Sequence, residues 1–365
     1  MFKKIIAFCL MFALSLPIYA ERGSGVSNLQ DTLAVRTLSE VKVDADSCIL
    51  MESKSGRVLY AKNAENTRPV ASTTKIMTTL LTLESGGLDD PFIVDKNAIQ
   101  IEGSTMGLTE GDVVTKRTLC YGMLLPSGND AANAAAIKVA GDYDTFAQMM
   151  NDRAEEIGML HTKFISPSGI DDNAFSTAYD MALLAREALK NPDFAEICSQ
   201  DKALVNFGNP PFDRYLTNTN KLLEQYPGTI GIKTGFTDAA GRCLVSACEK
   251  DNVTLICVTL KDVNDWLDHG RLYDTAFPFM HSIDIANPDN MFIPVVGMNV
   301  DELPIYTNRI VNTGTFGDDI LDDVSYKLII PPFIYPPKQD EQIGFIEYYV
   351  GDMLTDRVPV YVGGL

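Results

Sequence analysis

Apolar and polar positions alternate in blocks along this 365-residue chain, and the blocks change period in a readable order. The stretch "SCILMESKSGRVLYAKN" from Ser47 predicts a hairpin, two apolar strands flanking the turn-rich Ser53-Lys54-Ser55-Gly56. Pro69 ends that pairing. From Ser72 to Glu84 there is no Gly or Pro, and Ile76, Leu80 and Leu83 recur at helical spacing, as do Met77 and Leu81. This predicts a buried helix starting near Ser72. Next come a helix ending at Pro126, a tight polar turn and an Ala-rich helix. Two more helices are predicted over 144–158 and 176–190, with "SPSGIDD" (166–172) as the loop between them. Three consecutive strands follow over 228–237, 242–249 and 253–260, with Asp251-Asn252 in the second turn, and then a closing helix over 266–282. Strands at both ends and helices between them imply an α+β fold, one antiparallel sheet covered by helices. After Asn287 the texture becomes short, β-prone and proline-punctuated, as in "IIPPFIYPPKQDEQIGF". A small all-β C-terminal domain is expected there. The organisation expected is a signal segment (1–20), a leader (21–43), a first domain (44–284) and the β-rich domain (285–365).

Composition narrows the classes. Hydrophobic residues make up 46% of the chain, which fits a globular protein. In "MFKKIIAFCLMFALSLPIYA", two lysines precede an apolar run too short to span a membrane comfortably, and Pro17 and Ala20 follow. This reads as an export signal, with an uncleaved N-terminal anchor as the alternative. The formal net charge is −19. A chain this acidic is a poor nucleic-acid binder, because phosphate contacts need clustered Lys and Arg. Any anionic ligand must be met by a local positive site. Six cysteines lie beyond the signal: Cys48, Cys120, Cys198, Cys243, Cys248 and Cys257. Export permits disulfides. Four of the six sit in apolar strand-like runs, however, which favours buried free thiols. There is no C-x-x-C and no H-E-x-x-H, so no metal or cofactor is expected.

Candidate chemistry enters through three short polar patterns. Ser-x-x-Lys occurs at Ser39/Lys42, Ser72/Lys75 and Ser199/Lys202, so alone it decides nothing, and a serine at a helix start is an ordinary N-cap. Ser127-Gly128-Asn129 falls in the turn between two helices, and Lys233-Thr234-Gly235 falls on a strand. In this order the three match the Ser-x-x-Lys, Ser-x-Asn and Lys-Thr-Gly set of penicillin-recognising acyltransferases. The blocks "RPVASTTKIMTTLLTLE", "LCYGMLLPSGNDAANAAA", "GMLHTKFISPSGID" and "GTIGIKTGFTDAAGRCLVSA" resemble those of the low-molecular-mass penicillin-binding proteins that act as D-alanyl-D-alanine carboxypeptidases. The C-terminal region is similar to that family's β-rich domain, more loosely.

The resemblance implies a β-lactamase/transpeptidase-like fold and a two-step reaction on peptidoglycan stem peptides ending in D-Ala-D-Ala. β-Lactams would act as covalent mimics. It implies Ser72 as nucleophile, Lys75 as its base and Ser127 as proton relay. Asn129 would orient the substrate amide, while Lys233 and Thr234 would meet its terminal carboxylate. Gly235 would let the substrate lie close, and the N–H groups of Ser72 and Phe236 would form the oxyanion hole. Physical chemistry agrees in part. Residues three apart on a helix share a face, a helix N-terminus favours an emerging alkoxide, and burial beside a second cation would keep Lys75 neutral. An arginine near the last helix often holds the carboxylate in this family, and Arg271 is the candidate. Two departures stand out. "SPSGI" replaces the usual Asn-Pro-His-Gly-Leu, and the sequence stops at Leu365 without an amphipathic anchor, which predicts release into the wall space or medium.

Competing readings have less support. The three histidines (His161, His269, His281) accompany no G-x-S-x-G elbow, so a Ser-His-Asp hydrolase lacks its parts. Glu187 in "REALKNP" superficially resembles a β-lactamase glutamate but stands at the end of a helix, well after the loop where such a group belongs. A wall-binding penicillin sensor with vestigial chemistry and a D,D-endopeptidase both remain open.

Overall fold

The computed structural model describes residues 33–171, 173–286, 291–294, 301–317, 323–331 and 338–364. The export signal expected over 1–20 lies outside the described residues, as does the leader up to residue 32. The elements in chain order are α1 (Leu33–Ser39), β1 (Ser47–Glu52), β2 (Val58–Lys62), α2 (Lys75–Glu84), β3 (Phe92–Ile93), β4 (Val113–Val114), α3 (Lys116–Leu124), α4 (Asn129–Ala140), α5 (Tyr143–Ile157), α6 (Ala178–Ala188) and α7 (Pro192–Cys198). There follow β5 (Lys202–Gly208), β6 (Pro211–Thr217), α8 (Leu222–Gln225), β7 (Thr229–Thr237), β8 (Gly241–Lys250), β9 (Val253–Leu260), α9 (Asp265–Ala276) and β10 (Met280–Ala286). Last come β11 (Met291–Pro294), β12 (Glu302–Thr307), β13 (Val311–Phe316), β14 (Val324–Ile329), β15 (Gln342–Val350) and β16 (Met353–Val362).

The chain divides into two compact units at Ser282/Ile283, with the short stretch at Phe316 belonging to the first. The first unit is built on an antiparallel sheet of order β2-β1-β9-β8-β7. Every residue of β1 is buried, as are all but one of β9 and the middle of β8 from Cys243 to Cys248, because helices cover both faces. Cys48, Leu50, Leu255 and Cys257 pack with Leu272, Tyr273 and Ala276 of α9 and with Ala34 and Leu38 of α1. α6 lies against β1 and β9. α1 comes from the stretch expected to be a leader; two buried apolar side chains one turn apart make it part of this core.

The helix starts follow local chemistry. Thr115, Asp142 and Thr177 each accept a hydrogen bond from the backbone N–H three residues on, and Asn191 caps α7 with Pro192 at its first position. The closing helix is shorter than the expected 266–282. α9 ends at Ala276, Pro278 stands in a short 3-10 turn, and the chain leaves as β10. A second, four-stranded sheet of order β3-β4-β5-β6 had no counterpart in the periodicity reading, nor did α7. The second unit is all-β among the described residues, a sheet of order β11-β12-β16-β15-β14 around Leu303, Ile305, Ile346, Val358 and Val360. The six cysteines are buried and free, as the apolar strand context predicted.

Candidate active site

Ser72 does not cap a helix. It lies in a 3-10 turn, Ala71–Thr74, and α2 begins only at Lys75; neither start has a side-chain cap. The Ser72 hydroxyl instead accepts a hydrogen bond from Lys75 Nζ at 2.9 Å. Lys75 is fully buried, and its Nζ also donates to Ser168 O at 2.7 Å. That carbonyl belongs to the "SPSGI" loop, which is tied to α2 again by Thr78 Oγ1 donating to Pro167 O at 2.7 Å. Gly169 (φ +76°) allows this approach, since a Cβ there would stand 2.1 Å from Ala71 O. Burial first, and then the nearby Lys233, push the Lys75 amine well below the ordinary lysine range, while Asp130 acts in the opposite sense.

Ser127 and Asn129 arrive from the α3–α4 turn. Ser127 is buried at the cleft wall with φ +64°, and Ala71 beside Ser72 has φ +49°. Each such non-glycine residue costs about 1–3 kcal/mol and persists only where its surroundings hold it. Asn129 donates through Nδ2 to Glu102 O at 2.7 Å and through its backbone N–H to Ser104 O at 2.7 Å; its buried Oδ1 has no partner.

β7 supplies the third pattern, with two departures from expectation. Lys233 is completely buried, donates to Thr234 O at 2.9 Å, and is lowered by burial to about 7. It lies behind the cleft wall, so its charge reaches Lys75 rather than an open carboxylate site. Gly235 is needed on its inner side. A Cβ there would meet Val70 O at 3.0 Å and the Ser72 and Thr73 nitrogens at 3.1 Å, so the glycine lets β7 press against the turn that carries Ser72. Thr234 shares a hydrogen bond with Thr219, hydroxyl to hydroxyl at 2.7 Å. Phe236 is exposed beside them.

Of these residues, Ser72, Ser127, Thr234, Gly235 and Phe236 line a cleft of about 560 Å³, whereas Lys75, Asn129 and Lys233 are buried outside its lining, and the volume suits a small ligand. Arg271 is not in it. Arg271 pairs with Asp268 at 3.3 Å on α9, more than a helical turn beyond the end that reaches the cleft. The arginine that lines the cleft is Arg242, opposite Phe236 in the β7–β8 register. Asp265 grips it bidentately at 2.6 and 3.1 Å, and its guanidinium lies 5.5 Å from the Trp266 ring centroid.

A sequence model described as D-alanyl-D-alanine carboxypeptidase matches residues 34–264. The chain belongs to this peptidase family. It is 30% identical over 353 residues to the D-alanyl-D-alanine carboxypeptidase DacC of Escherichia coli, covering 90% of this chain and 86% of that protein. It is 35% identical over 226 residues to DacF of Bacillus subtilis, a D-alanyl-D-alanine carboxypeptidase; that match covers 60% of this chain and spans only 58% of the relative's length. Among solved structures, a D-alanyl-D-alanine carboxypeptidase from Mycobacterium tuberculosis superposes with a TM-score of 0.61 at 31% identity, covering 64% of this chain and 92% of that one.

Within this carboxypeptidase-family fold the other candidates fall away from the cleft. Ser39 and Ser199 donate to carbonyls three residues back at exposed helix ends, so their Ser-x-x-Lys spacing is incidental. Glu187 is engaged by Arg153 and Lys190. His161 is exposed, and His269 is sealed in the core. Sequence reasoning missed Ser104, Thr219, Lys221, Arg242, Asp265 and Trp266, all of which line the cleft. Only Arg242 had a readable signal, since a β7–β8 hairpin places it across from Phe236. The others sit at loops and element ends, where periodicity is silent.

Proposed function

We propose that the chain is a serine-type D-Ala-D-Ala carboxypeptidase that removes the terminal D-alanine of peptidoglycan stem pentapeptides through an acyl-enzyme on Ser72. The observation that carries this reading is the 2.9 Å contact between Lys75 Nζ and Ser72 Oγ beside an open cleft, with the lysine buried next to a second lysine. A neutral Lys75 takes the Ser72 proton as Oγ bonds to the carbonyl carbon between the two D-alanines. The Ser72 and Phe236 N–H groups receive the oxyanion. The C–N bond then breaks, and the proton passes by way of Ser127 to the departing amine. Water, deprotonated by the same lysine, attacks the ester and frees Ser72. Asn129 holds the substrate amide. The leaving carboxylate is met by the hydroxyls of Thr234 and Thr219 and by Arg242, in place of Arg271; Lys233 acts by keeping Lys75 neutral. β-Lactams acylate the same hydroxyl. Residues 1–20 direct export, so the chemistry takes place outside the cytoplasm; among the described residues no helix is long and apolar enough to cross a membrane. Residues 44–284 carry the reaction.

Intact-mass spectrometry after incubation with benzylpenicillin, beside Ser72→Ala, with D-alanine release from a D-Ala-D-Ala peptide followed in parallel, tests this. One adduct on the wild type, none on the variant and Ser72-dependent release are expected. An adduct without release would favour a penicillin sensor, and no adduct on folded protein would overturn the reading.

A further inference from the structure

We propose that Asp130 is a positioning residue of this site: its carboxylate straps the Glu102–Leu108 loop to the start of α4 and so fixes the cleft wall that carries Ser104. The inference rests on the functional reading above. Asp130 is 2% exposed. Its Oδ1 accepts from Met106 N at 2.9 Å and from Ala131 N at 2.9 Å. Its Oδ2 accepts from Gly107 N at 3.1 Å, Leu108 N at 3.0 Å and the Thr105 hydroxyl. Thr105 Oγ1 in turn accepts from Gly107 N at 2.9 Å. The neighbouring Asn129 holds Ser104 O and Glu102 O. The loop has no regular structure of its own over these residues, so its shape is set by Asn129 and Asp130.

The chemistry of the donors explains the residue type. Five N–H or O–H groups converge on one side chain, and an ionised carboxylate is acceptor-only, with about four lone-pair sites. An amide replaces one acceptor oxygen with a donor, which would face N–H groups. Buried donors left unpaired would push the loop outward and displace Ser104 from the cleft. The strap also carries charge. Lys75 faces Lys233 from β7 and Asp130 from α4, with the uncharged Ser72 hydroxyl and Ser168 carbonyl on its Nζ. Asp130 therefore tempers the depression of the Lys75 amine, and losing its charge leaves that amine deprotonated at lower pH.

The test uses the full chain as wild type, Asp130→Asn and Thr105→Val, because the first variant removes strap and charge while the second weakens only the strap. Three quantities are read: amide hydrogen exchange at Met106, Gly107 and Leu108, KM and kcat for a D-Ala-D-Ala peptide, and the pH profile of Ser72 acylation by benzylpenicillin. For Asp130→Asn the expected results are loss of protection at those amides, a KM rise of about tenfold or more, and an acid limb of acylation moved to lower pH. Thr105→Val should raise KM by about two- to fivefold and leave the limb in place. Retained amide protection and unchanged KM in a folded Asp130→Asn would overturn the proposal. Should that variant fail to fold, unchanged exchange and KM in Thr105→Val would overturn it. A wild type that takes no penicillin would instead sink the functional reading, and the exchange data would still judge the strap.

Discussion

Two serines of the first unit that are hydrogen-bonded to a buried nitrogen base, Ser72 and Ser246, differ in everything else. Ser72 Oγ accepts from Lys75 Nζ at 2.9 Å beside the cleft. Ser246 Oγ lies 2.7 Å from His269 Nδ1, 2.7 Å from Tyr273 OH, and has no exposure at all. The ring's other nitrogen meets Thr259 Oγ1 at 3.0 Å. Burial lowers both bases, His269 to about 3. By distance alone the Ser–His pair is the better hydrolase. Its polar atoms are spent on one another between β8, β9 and α9, whereas Ser72 faces a cleft furnished with further polar groups. Nucleophile–base distance is thus a poor criterion without access and a place for the substrate.

The sharpest way to break this contrast is to remove each hydroxyl. Ser72→Ala should abolish the penicillin adduct and cut D-alanine release by about 10⁴-fold or more, with little change in thermal unfolding. Ser246→Ala should leave the adduct intact but lower stability by about 1–3 kcal/mol, since it strands buried groups on His269 and Tyr273. Adduct formation lost in Ser246→Ala with the fold intact would mean that the sealed pair is coupled to the site.

Lys233 gives the next largest effect. Lys233→Met should slow acylation by about 10²–10³-fold, as expected for loss of a buried electrostatic group. Stability should move in the opposite direction. The folded Lys233 is lowered to about 7 while the unfolded lysine titrates near its usual 10.5, so between these values the unfolded chain binds the extra proton. The contribution of Lys233 to stability therefore rises as pH increases from 7 toward 10, and between these values the stability of Lys233→Met should rise less steeply, or fall more steeply, than that of the wild type in denaturant melts. A slope identical to wild type would contradict a lysine held in this way.

Gly235→Ala comes third. The added methyl meets backbone at 3.0–3.1 Å and must move the Ser72 turn, so acylation should slow by about 10–100-fold, seen in stopped-flow trapping, with a smaller loss of stability. The smallest effect separates two arginines. Arg242→Gln should raise KM for a peptide with a free C-terminal carboxylate by about tenfold, and by less for its C-terminal amide. Arg271→Gln should stay within about twofold on both, as for a surface substitution. Equal effects of the two would remove Arg242 from the cleft's working parts.

Much of the molecule was legible before folding. The β1–β2 hairpin, α2 to α6 and the β7–β9 strands follow from period, caps and turn residues, because these signals are local. The three polar patterns pointed to one family, and the match over residues 34–264 shows that family. The four-stranded sheet was not legible, since β3 and β4 have two residues each and β6 exposes most of its positions. Arg271 was the arginine expected at the carboxylate, and Arg242, which lines the cleft, was passed over.

What the sequence by itself determined was which residue types stand at which spacing, and hence the class of chemistry available. Only the tertiary structure decided which Ser-x-x-Lys has an access route, that Lys233 is buried, that Gly235 makes room for the protein's own backbone, that Arg242 lines the cleft and that Asp130 binds the loop carrying Ser104. The physical reason is that burial, desolvation and hydrogen-bond partners arise between segments far apart in the chain, such as Ser168 against Lys75 and Asp265 against Arg242. No local pattern records them.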